Sequence, residues 1–265
     1  MPENALEVTG LRRSFGAVRA VDDVSFALPE GGALGIVGES GSGKTTTARI
    51  VVGLERADEG EILVRGRPRA GHTCGRAARL ARAREIQMVF QDPFLSLDPR
   101  ISVEAVLRET LRLHFPDRDH VPRVRELLGQ VGLGTRAADA LPRTLSGGQR
   151  QRVAIARALA VEPAVLILDE AVAALDVSVQ AQILNLLADI REQTGIAFLF
   201  ITHDLGVVRC VTDEIVVMRH GAVVEQGGTE EVLAAPRHPY TRLLLESVPR
   251  PGWDPEAIAA ARRAL

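Results

Sequence analysis

With 265 residues, 46% of them hydrophobic and 25% charged, the chain has the composition of a compact globular protein, and a disordered or fibrous one is excluded. A formal net charge of -2 argues against a protein whose main affinity comes from neutralising nucleic-acid phosphates. Its two cysteines, Cys74 and Cys210, lie far apart with no C-x-x-C pair, so neither a disulfide framework nor a zinc or iron-sulfur site is suggested and a reducing compartment is expected.

The length admits one large domain or two small ones, and one α/β unit is the economical reading. Residues 1–10 lack a basic segment followed by an apolar run, so no secretory leader is predicted and residence in the cytosol is expected. A β-branched run at 24–28 reads as a strand, and a second at 34–37 is followed by a Gly-rich segment and a helical run through Leu54. Further strands are predicted at 62–64 and 86–90. Residues 92–160 carry helical periodicity at 103–113, 121–131 and 149–160 and no good strand, which predicts a helical insertion. Beyond it come a strand at 165–168 and a helix at 177–194, with Ile183, Leu187 and Ile190 on one face. Strands follow at 197–201 and 215–218, then a hairpin turn at Arg219-His220-Gly221 and a helical or irregular tail at 236–265. Strands alternating with helices imply a largely parallel sheet covered by helices. Apolar stretches such as 196–201 fall far short of the roughly 20 residues that cross a bilayer, so membrane association is expected to come through a partner.

The segment Gly38-Glu39-Ser40-Gly41-Ser42-Gly43-Lys44-Thr45 matches G-x-x-x-x-G-K-[ST] between a strand and a helix, which is the context the chemistry requires. Glycines let successive backbone N–H groups converge on the β- and γ-phosphates of a nucleotide at a helix N-terminus. Lys44 adds a point charge, and the Thr45 hydroxyl suits Mg²⁺. A Gly/Ser-rich turn without a ligand is the bland alternative, disfavoured because motif and context agree. The strand at 165–168 runs into Asp169-Glu170, at the edge where open α/β sheets bind ligands. Asp169 suits a place near Mg²⁺. Glu170, next in the chain, points the other way on a strand and is the candidate general base that would orient or deprotonate an attacking water. An acidic strand end capping the next helix is the competing reading.

Leu145-Ser146-Gly147-Gly148-Gln149 opens the helical run at 149–160 and so supplies a second anion-binding helix N-terminus in one chain. On these residues the chain resembles the ABC ATPases, and the family's other motifs stand in order over nearly its whole length. The resemblance implies a P-loop α/β core with N-terminal antiparallel strands and an inserted helical subdomain at about 92–160, within a nucleotide-binding domain at 1–245. It implies that Gln91 reaches Mg²⁺ and links the core to the helical subdomain, that Asp176 belongs to the D-loop, and that His203 contacts the γ-phosphate. It also adds Thr46 to the phosphate-binding residues and gives Phe15 the place of an aromatic that stacks on adenine; from the residue alone, Phe15 fits the core equally well. By the same resemblance ATP, with Mg²⁺, lies between Lys44 and its loop on one subunit and Ser146 to Gly148 of a second cassette, identical or paralogous, in a head-to-tail dimer. One departure is plain: Ala171-Val172-Ala173 follow Glu170 where relatives usually carry Pro-Thr-Ser, so hydroxyls that bond across the dimer are missing.

Two stretches, residues 90–100 and the tail Arg237-His238-Pro239-Tyr240-Thr241-Arg242-Leu243-Leu244, look like the cassettes of dipeptide, oligopeptide and nickel importers, with a tail domain at 236–265. The tail also reads simply as Pro239 starting a short surface helix and Tyr240 packing on the core. The resemblance therefore implies an ATP-hydrolysing subunit at the cytoplasmic face of the inner membrane. Its expected partners are two transmembrane permease subunits and, indirectly, an extracytoplasmic solute-binding protein, with no nucleic acid. An exporter cassette, a non-transport ABC ATPase and a nucleotide switch without hydrolysis are the rivals; the pair Glu170 and His203 speaks against the last.

Overall fold

The computed structural model describes residues 3–69, 75–92 and 97–247. Cys74, residues 93–96 of the stretch shared with peptide-importer cassettes, and the tail beyond Ser247 lie outside the described residues.

Strands β1 (Asn4–Phe15) and β2 (Val18–Pro29) form an antiparallel pair, widened by β4 (Glu59–Val64) and β5 (Arg67–Pro68) in the order β2-β1-β4-β5. The second sheet runs β10-β9-β3-β8-β7-β6, built from β3 (Ala33–Val37), β6 (Ile86–Val89), β7 (Val165–Asp169), β8 (Ala197–Thr202), β9 (Glu214–Arg219) and β10 (Ala222–Gly228). All of its pairings are parallel except the β9–β10 hairpin. Strands β3, β7 and β8 are buried along their whole length, as strands covered on both faces must be.

The covering helices are α1 (Lys44–Val52), α2 (Arg76–Glu85), α3 (Val103–His114), α4 (His120–Gln130), α5 (Gly147–Leu159), α6 (Val177–Thr194), α7 (Leu205–Val211), α8 (Thr229–Ala234) and α9 (Pro239–Glu246). Alternate residues of the central strands serve two cores, because successive side chains leave a pleated strand on opposite faces. Leu166, Leu168, Phe198 and Phe200 pack with the apolar faces of α3 to α6. Val165, Ile167, Ala197, Leu199 and Ile201 pack with β1, β2 and α1. Each of the Val, Leu, Ile and Phe side chains contributes about 1.5–3 kcal/mol by leaving water.

Residues 103–159 hold α3, α4, α5 and two 3-10 turns, with no strand among them, as the periodicity predicts. Ser102 and Asp119 accept backbone hydrogen bonds at the starts of α3 and α4, and the left-handed Gly195 (φ 68°) ends α6 at the predicted residue. Strands β1 and β5 and helices α2, α7 and α8 were not predicted. Helix α2, rich in arginine, buries no residue and so shows no apolar stripe. Strand β1 is broken by register shifts around Gly10 and Arg12, which blur its alternation.

Candidate functional site

The parallel register gathers the candidate residues. Val37 at the end of β3 lies beside Thr202 of β8, Ile201 lies beside Asp169 of β7, and Leu168 lies beside Val89 of β6. The phosphate loop, His203, Glu170 and the Gln91 segment therefore leave four adjacent strands at one carboxyl edge, where open α/β sheets bind ligands.

The loop's path depends on glycine at two places. Gly38 has φ 153°, and a Cβ there would lie 2.2 Å from the Met218 carbonyl oxygen; Gly43 has φ 101°, and its Cβ would lie 2.4 Å from that of Ala20. Gly43→Ala is expected to destabilise the chain by roughly 2–4 kcal/mol, combining left-handed strain with displacement of a backbone carbonyl. Urea unfolding checks this; a midpoint within error of the parent would mean that the loop relaxes freely.

Lys44 opens α1 at 5% exposure, and its Nζ donates to the carbonyls of Gly38 and Glu39, both at 2.8 Å. Burial lowers its pKa, opposed by the nearby charges of Glu170, Asp169 and Glu39. The Thr45 hydroxyl donates to Asp169 Oδ1 at 3.3 Å. Asp169 is itself buried, which raises its pKa, while the bond from Thr45 works in the opposite direction. Thr46 follows in the first turn of α1, half-buried. Of the rest of the loop, Ser42 is buried, and Ser40 and Gly41 are exposed.

Strand alternation does not orient Glu170: β7 ends at Asp169, and Glu170 takes a left-handed backbone with φ 48°. Its N–H still donates to the Ile201 carbonyl at 2.8 Å, which ties it to β8. His203 Nδ1 stands 3.1 Å from Glu170 Oε1, a hydrogen bond when that nitrogen carries the proton. A cavity of about 980 Å³ beside them is lined by Gly38, Glu39, Ser40, Glu170 and His203 among others.

None of Ser146, Gly147, Gly148 and Gln149 lines that cavity. Ser146 and Gln149 instead form a reciprocal capping box at the start of α5: the serine hydroxyl accepts from Gln149 N–H, and the glutamine side-chain oxygen accepts from Ser146 N–H. A Cβ on Gly148 would meet Val179 at 2.5 Å, so the absence of a side chain lets α5 approach α6. Asp176 is the exposed N-cap of α6. Ala171 and Val172 are buried in the helical core, and of that altered triplet Ala173 alone is exposed. The apolar triplet thus changes one outward-facing position, and its other two members face inward. Gln91, two residues beyond β6, is exposed.

Phe15 ends β1 at 47% exposure, which removes the core alternative. The Arg13 guanidinium lies 4.6 Å from its ring centroid and is bound to Glu55 and Asp58, each at 2.7 Å. Arg13 escaped sequence reasoning, because its two carboxylate partners lie more than forty residues away. In the tail, Pro239 stands in the first turn of α9 and Tyr240 is buried, in line with the structural reading of that segment.

A Gly-Lys-Thr loop between the central strand and α1, with an acidic strand end two positions along the sheet, places the chain among the P-loop nucleotide-binding proteins. A family model described as ABC transporter matches residues 21–173, and a second, described as the C-terminal region of oligopeptide/dipeptide transporters, matches residues 224–263. The chain belongs to the ABC transporter family, as its LSGGQ and associated motifs lead one to expect.

The chain is 44% identical to the oligopeptide transport ATP-binding protein OppF of Bacillus subtilis (strain 168), over 97% of this chain and 86% of that protein. It is 51% identical to the oligopeptide transport ATP-binding protein OppD of Mycobacterium tuberculosis (strain ATCC 25618 / H37Rv) over 91% of its own length, but spans only 39% of that relative. The dimeric, post-hydrolysis structure of the ATP-binding cassette MJ0796 with ADP and Pi superposes at a TM-score of 0.73 and 29% identity, over 84% of this chain and 98% of that one.

Proposed function

We propose that this chain is the ATP-binding and ATP-hydrolysing subunit of an ABC importer for di- or oligopeptides. The observation that carries the reading is the meeting of Lys44, Asp169, Glu170 and His203 at one sheet edge, in a chain whose C-terminal part matches a peptide-transporter family.

ATP phosphates lie along the loop from Gly38 to Thr46, held by backbone N–H groups, the α1 N-terminus and the Lys44 charge. Thr45 and Asp169 put two oxygens 3.3 Å apart, a donor set suited to a hard divalent cation. With Gln91 they would hold Mg²⁺, which when bound neutralises charge on the β- and γ-phosphates. Glu170 orients a water and accepts its proton as the water oxygen bonds to the γ-phosphorus and the bond to the ADP oxygen breaks. His203, beside Glu170, faces the departing phosphate.

The α5 N-terminus with Ser146 to Gly148 stands apart from this edge and completes the site of a second cassette, so that ATP closes a head-to-tail dimer and hydrolysis releases it. Asp176, exposed at the start of α6, lies at that seam. The nucleotide-binding domain spans 1–245 with the helical subdomain inserted at about 92–160, and the tail spans 236–265. The subunit works at the cytoplasmic face of the inner membrane on two transmembrane permeases, which receive cargo from an extracytoplasmic binding protein, and it binds no nucleic acid.

The test is purification of the tagged chain from gently solubilised membranes. Two multi-span companions, with or without a paralogous cassette, are expected; recovery of ribosomes or DNA alone would replace import with a non-transport role.

Phe15 supplies the adenine platform, with Arg13 over its ring. Phe15→Ala is expected to weaken ATP binding by roughly 1–3 kcal/mol and to leave the binding of inorganic triphosphate unchanged. Calorimetric titration of both ligands distinguishes stacking from a general loss of the loop: equal weakening of the two would remove Phe15 from the base-binding role.

A further inference from the structure

Tyr240 belongs to the C-terminal segment that resembles peptide-transporter tails, yet it reaches the phosphate loop. Its ring is 2% exposed, packed among Val37, Val208, Val217 and Val232, with the Arg219 guanidinium 4.9 Å from the ring centroid. Its hydroxyl accepts a hydrogen bond of 3.1 Å from the backbone N–H of Glu39, 201 residues earlier in the chain. The carbonyl of that same residue accepts from Lys44 Nζ. The N–H and C=O of one residue are thereby held, the first by the tail and the second by the lysine of the loop.

The tyrosine is itself anchored. Glu225 on β10 accepts from the N–H groups of Arg237 and His238, at 2.7 and 3.0 Å, and His238 Nδ1 accepts from Tyr240 N–H. A second tether holds the far limb of the loop, where Gly221 of the β9–β10 turn donates to the Ser42 carbonyl at 3.0 Å. Both tethers come from the C-terminal third of the chain.

We propose that Tyr240 is a positioning residue of the ATP site: its hydroxyl fixes the Glu39 peptide and so pre-organises the phosphate loop and Lys44 for nucleotide. The inference rests on the reading of this loop as the ATP site. A loop already in its binding conformation loses less freedom when the ligand arrives, so removing the hydroxyl acts on affinity more than on chemistry. The proposed role acts through the loop and not through Glu170 or His203, so turnover at saturating ATP has no reason to fall with it.

The test uses the full-length chain and Tyr240→Phe, which keeps the ring. KM and Kd for MgATP are expected to rise about three- to tenfold, the worth of one neutral hydrogen bond, while kcat stays within about twofold. Amide exchange followed by NMR adds a readout that a general packing role would not move: the Glu39 amide exchanges at least about tenfold faster in the variant, while amides of β3 keep the parental rate. Unchanged affinity in the variant overturns the positioning role even if exchange at Glu39 accelerates. In the parent chain, an unprotected Glu39 amide overturns it without any variant. If the parent binds no nucleotide, the ATP-site reading fails by itself, and the exchange data still report whether Tyr240 holds Glu39.

Discussion

Lys44→Ala is expected to lower affinity for ATP on the order of 10²-fold, the largest binding loss of any single change in the loop. The ammonium is nearly buried among loop carbonyls, so its charge acts at short range and in reduced dielectric. Truncation removes that charge from the phosphates and also leaves the Gly38 and Glu39 carbonyls without it. Two losses add: the direct phosphate contact, and the organisation of the loop limb that Tyr240 holds from the other side. Equilibrium titration with labelled ATP measures the sum. Affinity within a factor of two of the parent would mean that the phosphates lie elsewhere. Comparison with Tyr240→Phe separates the two losses, since that variant keeps the charge.

Glu170→Gln is expected to slow hydrolysis on the order of 10²-fold or more while ATP binding survives. Glutamine has nearly the shape of glutamate and keeps a side-chain oxygen that accepts from His203 Nδ1–H, so the change isolates the loss of a base. The left-handed backbone at 170 is common to both residues, and the N–H bond to Ile201 is untouched. Single-turnover measurement with MgATP reads the chemical step directly. Hydrolysis at the parental rate would pass the role of base to another group, and a matching fall in ATP affinity would show that the loop had been disturbed instead. Gel filtration with ATP gives a second reading, because in the proposed head-to-tail mechanism a subunit that binds without hydrolysing accumulates as the closed dimer.

Much of this site was legible in the residues themselves. The phosphate loop announces its own chemistry, since a glycine pattern, a lysine and a hydroxyl within eight residues act through local backbone geometry. Helix α6 was predicted over 177–194 because Ile183, Leu187 and Ile190 mark one face, and in the structure Gly195 ends it. The hairpin at His220-Gly221 was equally local. Helix α2 was not visible, because a helix that buries nothing writes no periodicity into its residues. Strand alternation, by which Glu170 was read, does not extend to it, because the strand stops one residue before it and Glu170 takes a left-handed backbone.

The sequence by itself therefore carried the glycine-rich loop between strand and helix, the acidic strand end, a helix start at Ser146 to Gln149 and the membership of a family whose motifs stand in fixed order. Those are properties of neighbours, set within a turn or two of backbone. Only the tertiary structure decided which distant groups meet: Thr45 with Asp169, Glu170 with His203, and Glu39 with Tyr240 across 201 residues. It also decided that Phe15 is exposed over Arg13 and that Ala171 and Val172 face the core. The physical reason is that strand register and core packing, which are collective and act between segments far apart in the chain, choose those partners, and no short stretch of residues encodes them alone.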